Sequence, residues 1–133
     1  MRRSVAGWTL TCYIVILLWL TFHQWGDHAV QRSVQLMPLT TIIATWQSGG
    51  RIALINILGN IVAFVPIGGF ARLWQPHQRW QQIVIGGAGL SLSIEVMQWL
   101  SGYRVADIDD LLLNIVGCGV GIGLASIVFT RQA

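Results

Sequence analysis

Four stretches of this chain are each about as long as a bilayer is thick and carry almost no charge. Val5 to Phe22 is charge-free, and Ile52 to Ala71 lies charge-free between Arg51 and Arg72. Ile83 to Leu100 is apolar apart from Glu95, and Leu111 to Thr130 runs without charge up to Arg131. A helix needs about 20 predominantly apolar residues to cross the hydrocarbon core of a membrane. The expected fold is therefore an all-α membrane protein with four transmembrane helices, at about 5–22, 52–71, 83–100 and 111–130, within a single domain of residues 1–133.

Composition agrees. Of 133 residues, 54% are hydrophobic and only 10% are charged, whereas soluble chains carry roughly 25% charged residues. The eight basic residues are all arginine and no cluster exceeds Arg2-Arg3, so the pI near 9.5 points to membrane topology rather than to nucleic acid. Cys12 and Cys118 each sit inside an apolar run, with no CxxC or Cys/His spacing, and read as buried small residues rather than a metal pair or disulfide. The first run is longer than the roughly 7–15 residues of a signal-peptide core and no A-x-A-like site follows it, so it reads as a retained anchor. With the N-terminus inside, Arg2, Arg3, Arg72, Arg79 and Arg131 are cytoplasmic, and Arg32, Arg51 and Arg104 are outside. That bias predicts both termini in the cytoplasm. The tryptophans fall mostly near span ends, as an aromatic belt should.

Gln24 to Gly50 is too long for a tight turn and contains the apolar stretch "VQLMPLTTIIATW", with Pro38 near its centre. It reads as an interfacial or re-entrant segment between helices 1 and 2, with "SGG" at Ser48 to Gly50 as a hinge before the second span.

Polar residues at membrane depth are expensive and face protein interiors. Asn56 and Asn60 lie i, i+4 on one face in the outer half of the second span. Glu95 and Gln98 lie near the outer end of the third. Asp107, Asp110, Asn114, Gly117 and Gly121 follow a 3-4-3-4 spacing along one face of the fourth. Together with Arg104, these helices bring Asn56, Asn60, Glu95, Gln98, Asp107, Asp110 and Asn114 to a similar depth, where they can form one polar, ligand-binding pocket. Plainer readings stand beside this one. The asparagines can serve as interhelical hydrogen-bond glue, and Gly117, Gly119, Gly121 and Gly123 as a surface for close helix approach. Glu95 and Arg104 can form a purely structural ion pair. Asp109 points away from the Asp107–Asp110 face and reads as solvated. His23, His28 and His77 share no ligand spacing and receive no role.

"NILGNIVAFVPIGG", "SLSIEVMQ" and "RVADIDDLLLNIVGCGVG" together resemble the VanZ-like family of small bacterial membrane proteins. The pattern is Asn-x3-Asn-x3-Phe-x-Pro-x-Gly, then Ser-x3-Glu-x2-Gln, then Arg-x2-Asp-x2-Asp-x3-Asn-x2-Gly. Matching positions are Asn56, Asn60, Phe64, Pro66 and Gly68; Ser91, Glu95 and Gln98; and Arg104, Asp107, Asp110, Asn114 and Gly117. "QLMPLTTI" looks like the family's Asn-Leu-x-Pro-Phe segment, with Gln35 and Leu39 in place of Asn and Phe. The resemblance implies a protein of the bacterial cytoplasmic membrane and cell envelope, akin to one associated with low-level resistance to the lipoglycopeptide antibiotic teicoplanin.

Three functions are compatible with these residues. In the first, the pocket binds the polar headgroup of a membrane lipid, a lipid-linked cell-wall precursor or a lipoglycopeptide, needing no cofactor, with Arg104 on an anionic group. In the second, Glu95, Asp107, Asp110, Asn60 and Asn114 hold Mg²⁺ or Ca²⁺ for an enzyme acting on a lipid phosphate. No nucleophile or phosphatase signature supports that chemistry. In the third, the chain is a structural subunit whose polar patch fixes helix packing.

Overall fold

Each apolar run folds as one long helix, because a backbone without water must satisfy its donors internally. The computed structural model describes residues 3–23, 33–102 and 105–130. Arg2, Trp25, His28, Arg32, Arg104 and Arg131 lie outside the described residues. The elements are α1 (Arg3–His23), β1 (Val34–Gln35), α2 (Thr40–Trp74), α3 (Trp80–Ser101), β2 (Ala106–Asp107) and α4 (Ile108–Thr130). Four segments are long and apolar enough to cross a membrane: Arg3–His23, Gly49–Trp74, Trp80–Ser101 and Ile108–Val128. The expected all-α, four-span architecture is the one observed. The two-residue strands pair in parallel, Val34 opposite Ala106 and Gln35 opposite Asp107. They tie the approach to α2 to the approach to α4.

α2 is not one straight rod. Gly49 has φ 153° and ψ 94° and interrupts the helix, a conformation open to glycine because it lacks a Cβ. The break separates a short helical arm, residues 40–48, from the span Gly49–Trp74. The expected interfacial segment with a Ser-Gly-Gly hinge is thus a helical arm, and it leaves Ile43 and Trp46 exposed.

α2 and α4 run in the same direction and meet backbone to backbone. A Cβ added to Gly68 would lie 2.0 Å from the Cys118 carbonyl oxygen; one on Gly117 would lie 2.2 Å from that of Ile61, and one on Gly121 2.0 Å from that of Val65. Small residues allow this approach, and dispersion then holds helices together where lipid offers no hydrophobic drive. The reading of the α4 glycines holds for Gly117 and Gly121. It fails for Gly119 and Gly123, which have nothing within 4 Å of an added Cβ and lie on the outward side. On the other flank of α2, Leu10 of α1 packs with Phe64, Ile67 and Ile94, and the Tyr13 hydroxyl donates to the Ala63 carbonyl at 3.0 Å. Cys118 is buried as expected, whereas Cys12 is exposed on α1.

The outer faces are predominantly apolar, with Val15, Ile16, Leu58, Val62, Ile85, Leu124 and Val128 all exposed. In water this would be an extensive adhesive patch; in hydrocarbon it is an ordinary exterior. At one end of the bundle the Arg3 guanidinium donates to His77 Nε2 at 2.9 Å, and Arg72 donates to the Gln78 carbonyl at 2.8 Å. The start of α1 and the α2–α3 turn, with Arg79, therefore share an end. His77, given no role from sequence, is the acceptor that joins them.

Candidate polar binding site

At the opposite end stand Glu95, Asp107, Asp109 and Asp110, four of the chain's five acids. The first three form a chain of contacts. Glu95, 6% exposed, accepts a hydrogen bond from the Asp107 amide at 3.0 Å. The Asp107 carboxylate accepts from the Asp109 amide at 2.9 Å, which makes Asp107 the N-cap of α4 and explains why this helix starts at Ile108, before the charge-free run begins. Asp109 then reaches across to the arm of α2. Its Oδ1 accepts from the Leu39 amide at 2.5 Å, and its Oδ2 accepts from the amides of Thr41 at 3.2 Å and Ile42 at 3.3 Å.

That last contact overturns the solvated reading of Asp109, which is only 1% exposed. Leu39, at the N-cap of α2, has a left-handed backbone (φ 67°) and supplies no side-chain cap. The first amides of a helix lack internal partners, and a carboxylate at that positive end is favoured by the helix dipole. Asp109 is therefore a cap supplied from another helix. A run such as Asp-Ile-Asp-Asp does signal a helix start, but for its own helix, so the sequence offered no local sign of this role.

Asp110 turns the other way and accepts from Asn60 Nδ2 at 2.5 Å, and Asn114 Nδ2 donates to Ser91 Oγ at 2.8 Å. Asn60, Glu95, Gln98, Asp110 and Asn114 ring a cavity of about 80 Å³ between the helices, room for roughly two or three waters at ~30 Å³ each. Leu17 and Thr21 of α1 close it, together with Phe64 and Ile94. That fourth wall went unread in the sequence, where Thr21 is a lone hydroxyl near the end of an apolar run. Among the described residues, Asn114 Oδ1 is a buried side-chain acceptor with no hydrogen-bond partner, which a polar guest or ordered water would ordinarily satisfy.

The remaining expected residues lie elsewhere. Asn56 and Asp107 line a second cavity of about 210 Å³, under the arm of α2, with Thr41, Thr45 and Asp109; Asp110 borders both cavities. The single pocket expected from helical faces is thus two compartments, parted by the Asn60–Asp110 hydrogen bond. The expected Arg104–Glu95 pair involves a residue outside the described set. Among the described residues no three histidine, cysteine or acidic side chains converge closely enough to hold a metal ion.

A profile of the family described as VanZ/LLP1 matches residues 10–129. The chain belongs to the VanZ/LLP1 family. Neither the curated proteins nor the solved structures yielded a match. Four apolar helices and this membership make it a multi-pass membrane protein. The VanZ-like pattern now separates into two physical tasks. Of its apolar members, Phe64, Gly68 and Gly117 are buried and bring α2 into the core and against α4. Its polar members Asn60, Glu95, Gln98, Asp110 and Asn114 ring the cavity.

Proposed function

We propose that this VanZ/LLP1 protein binds the polar headgroup of an envelope amphiphile, a membrane lipid, lipid-linked cell-wall precursor or lipoglycopeptide, at the outer face of the bacterial cytoplasmic membrane. The observation that carries the reading is the cavity ringed by Asn60, Glu95, Gln98, Asp110 and Asn114 inside the bundle. Polar side chains at this depth cost several kcal/mol unless matched, and mark functional sites by default. The carboxylates and amides accept from hydroxyl, amide or amine groups, and Arg104 takes an anionic portion. The arm of α2 lies over the neighbouring compartment and controls approach. Glycopeptide resistance, as in the namesake of the family, then reflects capture of such a headgroup at the surface where these antibiotics act.

Two results are expected. Glu95→Gln keeps an acceptor for the Asp107 amide while removing the charge, so the variant folds, and it retains roughly tenfold less co-purifying amphiphile by native mass spectrometry. Unchanged retention would refute headgroup binding at this cavity. Orientation is tested in a background carrying Cys12→Ala and Cys118→Ala. A membrane-impermeant thiol reagent added outside should label Met37→Cys and spare His77→Cys. The reverse pattern would place the polar end in the cytoplasm.

A further inference from the structure

We propose that the polar cavity is one half of a lipid site whose other half is an apolar groove between α3 and α4, the two meeting at Glu95. The ligand is then a lipid held by one acyl chain as well as by its headgroup. This rests on the headgroup reading above and narrows it to chain-bearing molecules.

The groove has a volume of about 240 Å³ and is lined by Leu92, Val96 and Trp99 of α3 and by Ile108 and Leu111 of α4, with the β1–β2 pair as its roof. Glu95 lines both the groove and the polar cavity. Leu92 and Val96 remain exposed within the span Trp80–Ser101, so the groove opens sideways to hydrocarbon rather than to water. Water gains little in an apolar cleft, because it needs two to four polar partners there. An unfilled cleft forfeits dispersion contacts on every wall. The molecule abundant at that depth with matching chemistry is an acyl chain.

The lining is apolar almost throughout; Glu95, midway between Leu92 and Trp99 on α3, is where the groove adjoins the polar cavity, with Asp107 and Gln35 beside it in the roof. A chain sliding over an ordinary convex helix face meets no such junction. Here Glu95 borders both spaces, so a chain lying in the groove has its polar end at the cavity ringed by Asn60, Asp110 and Asn114. The β1–β2 roof closes the groove on the side of the connecting segments.

The test uses the full chain in phosphatidylcholine nanodiscs doped with phosphatidylglycerol carrying a diazirine near the end of its acyl chain. After irradiation, adducts are mapped by peptide mass spectrometry. They should concentrate on 92–99 and 108–111. Val96→Trp, which fills the groove, should reduce them several-fold, and Val96→Ala, which widens it, should not. Glu95→Gln should lower groove adducts as well, because head and chain belong to one molecule. Adducts spread evenly over the exposed helix faces, or insensitive to Val96→Trp, would overturn the groove even if headgroup retention still depended on Glu95. Groove adducts untouched by Glu95→Gln would overturn the joining of the two halves, and crosslinks between two copies through 92–99 would replace the lipid by a second copy. If Val96→Trp does not fold, Leu92→Phe provides the same reading. Failure of the headgroup proposal itself appears separately, as amphiphile retention unchanged by Glu95→Gln.

Discussion

Asp109→Ala is expected to destabilise the folded protein by about 2–4 kcal/mol. One carboxylate satisfies the amides of Leu39, Thr41 and Ile42, and its removal strands these donors at the mouth of a helix. Asp109 is 1% exposed, so solvent cannot replace it without the arm lifting away. Asp109→Asn retains an oxygen for part of the set but loses the charge that complements the α2 dipole, and should cost about 1 kcal/mol. Asn56→Ala, at an exposed position of the same helix, should be nearly silent. Thermal unfolding in detergent orders the three variants, and thiol labelling at Trp46→Cys reports release of the arm. A stability for Asp109→Ala equal to that of the parent protein would show that the arm docks by other means.

Gly121→Ala should impair folding to a similar degree. The added methyl would lie 2.0 Å from the Val65 carbonyl oxygen and 2.8 Å from the Gly69 nitrogen, both backbone atoms that no rotamer change can move aside. Ordinary contact for a Cβ begins at 3.4 Å, so α2 and α4 must part by more than an ångström along their whole seam. Overpacking of this kind costs about 1–3 kcal/mol, occasionally more, and in lipid the lost contacts are the main attraction between helices. Gly119→Ala and Gly123→Ala make the control pair, since open space awaits both methyls. Alanine is the better helix former by up to ~1 kcal/mol, so these changes should be neutral or slightly stabilising in the same unfolding assay. Equal damage at Gly119 and Gly121 would mean that the outward face is itself packed in the membrane.

The contrast between Asp109 and Asp110 marks the boundary of what the sequence made legible. Helical periodicity correctly sends Asp110 toward Asn60 and turns Asp109 aside. Periodicity is silent about what waits on that other side. What waits is the arm of α2, and its docking depends on the break at Gly49, legible in the Ser-Gly-Gly run, and on a left-handed Leu39, which no local pattern announced. The same reasoning explains Gly119, which shares composition but not azimuth with its neighbours. The four spans were readable because hydrocarbon enforces length and apolarity residue by residue. The division of Asn56 from Asn60, one turn apart, was not, because it depends on the Asn60–Asp110 hydrogen bond, with Asp110 bordering both compartments. Thr21 contributes through the packing of α1, which no charge or motif announced.

The cap on α2 also sets an order of assembly. Leu39, Thr41 and Ile42 leave the ribosome long before Asp109, which follows them by 67 to 70 residues. Until the last helix is made and inserted, the arm has no partner for its leading amides, and β1 has no strand to pair with. The first half of the chain is thus completed by the second, and a nascent chain released before Ile108 would lack the groups that fasten this end shut.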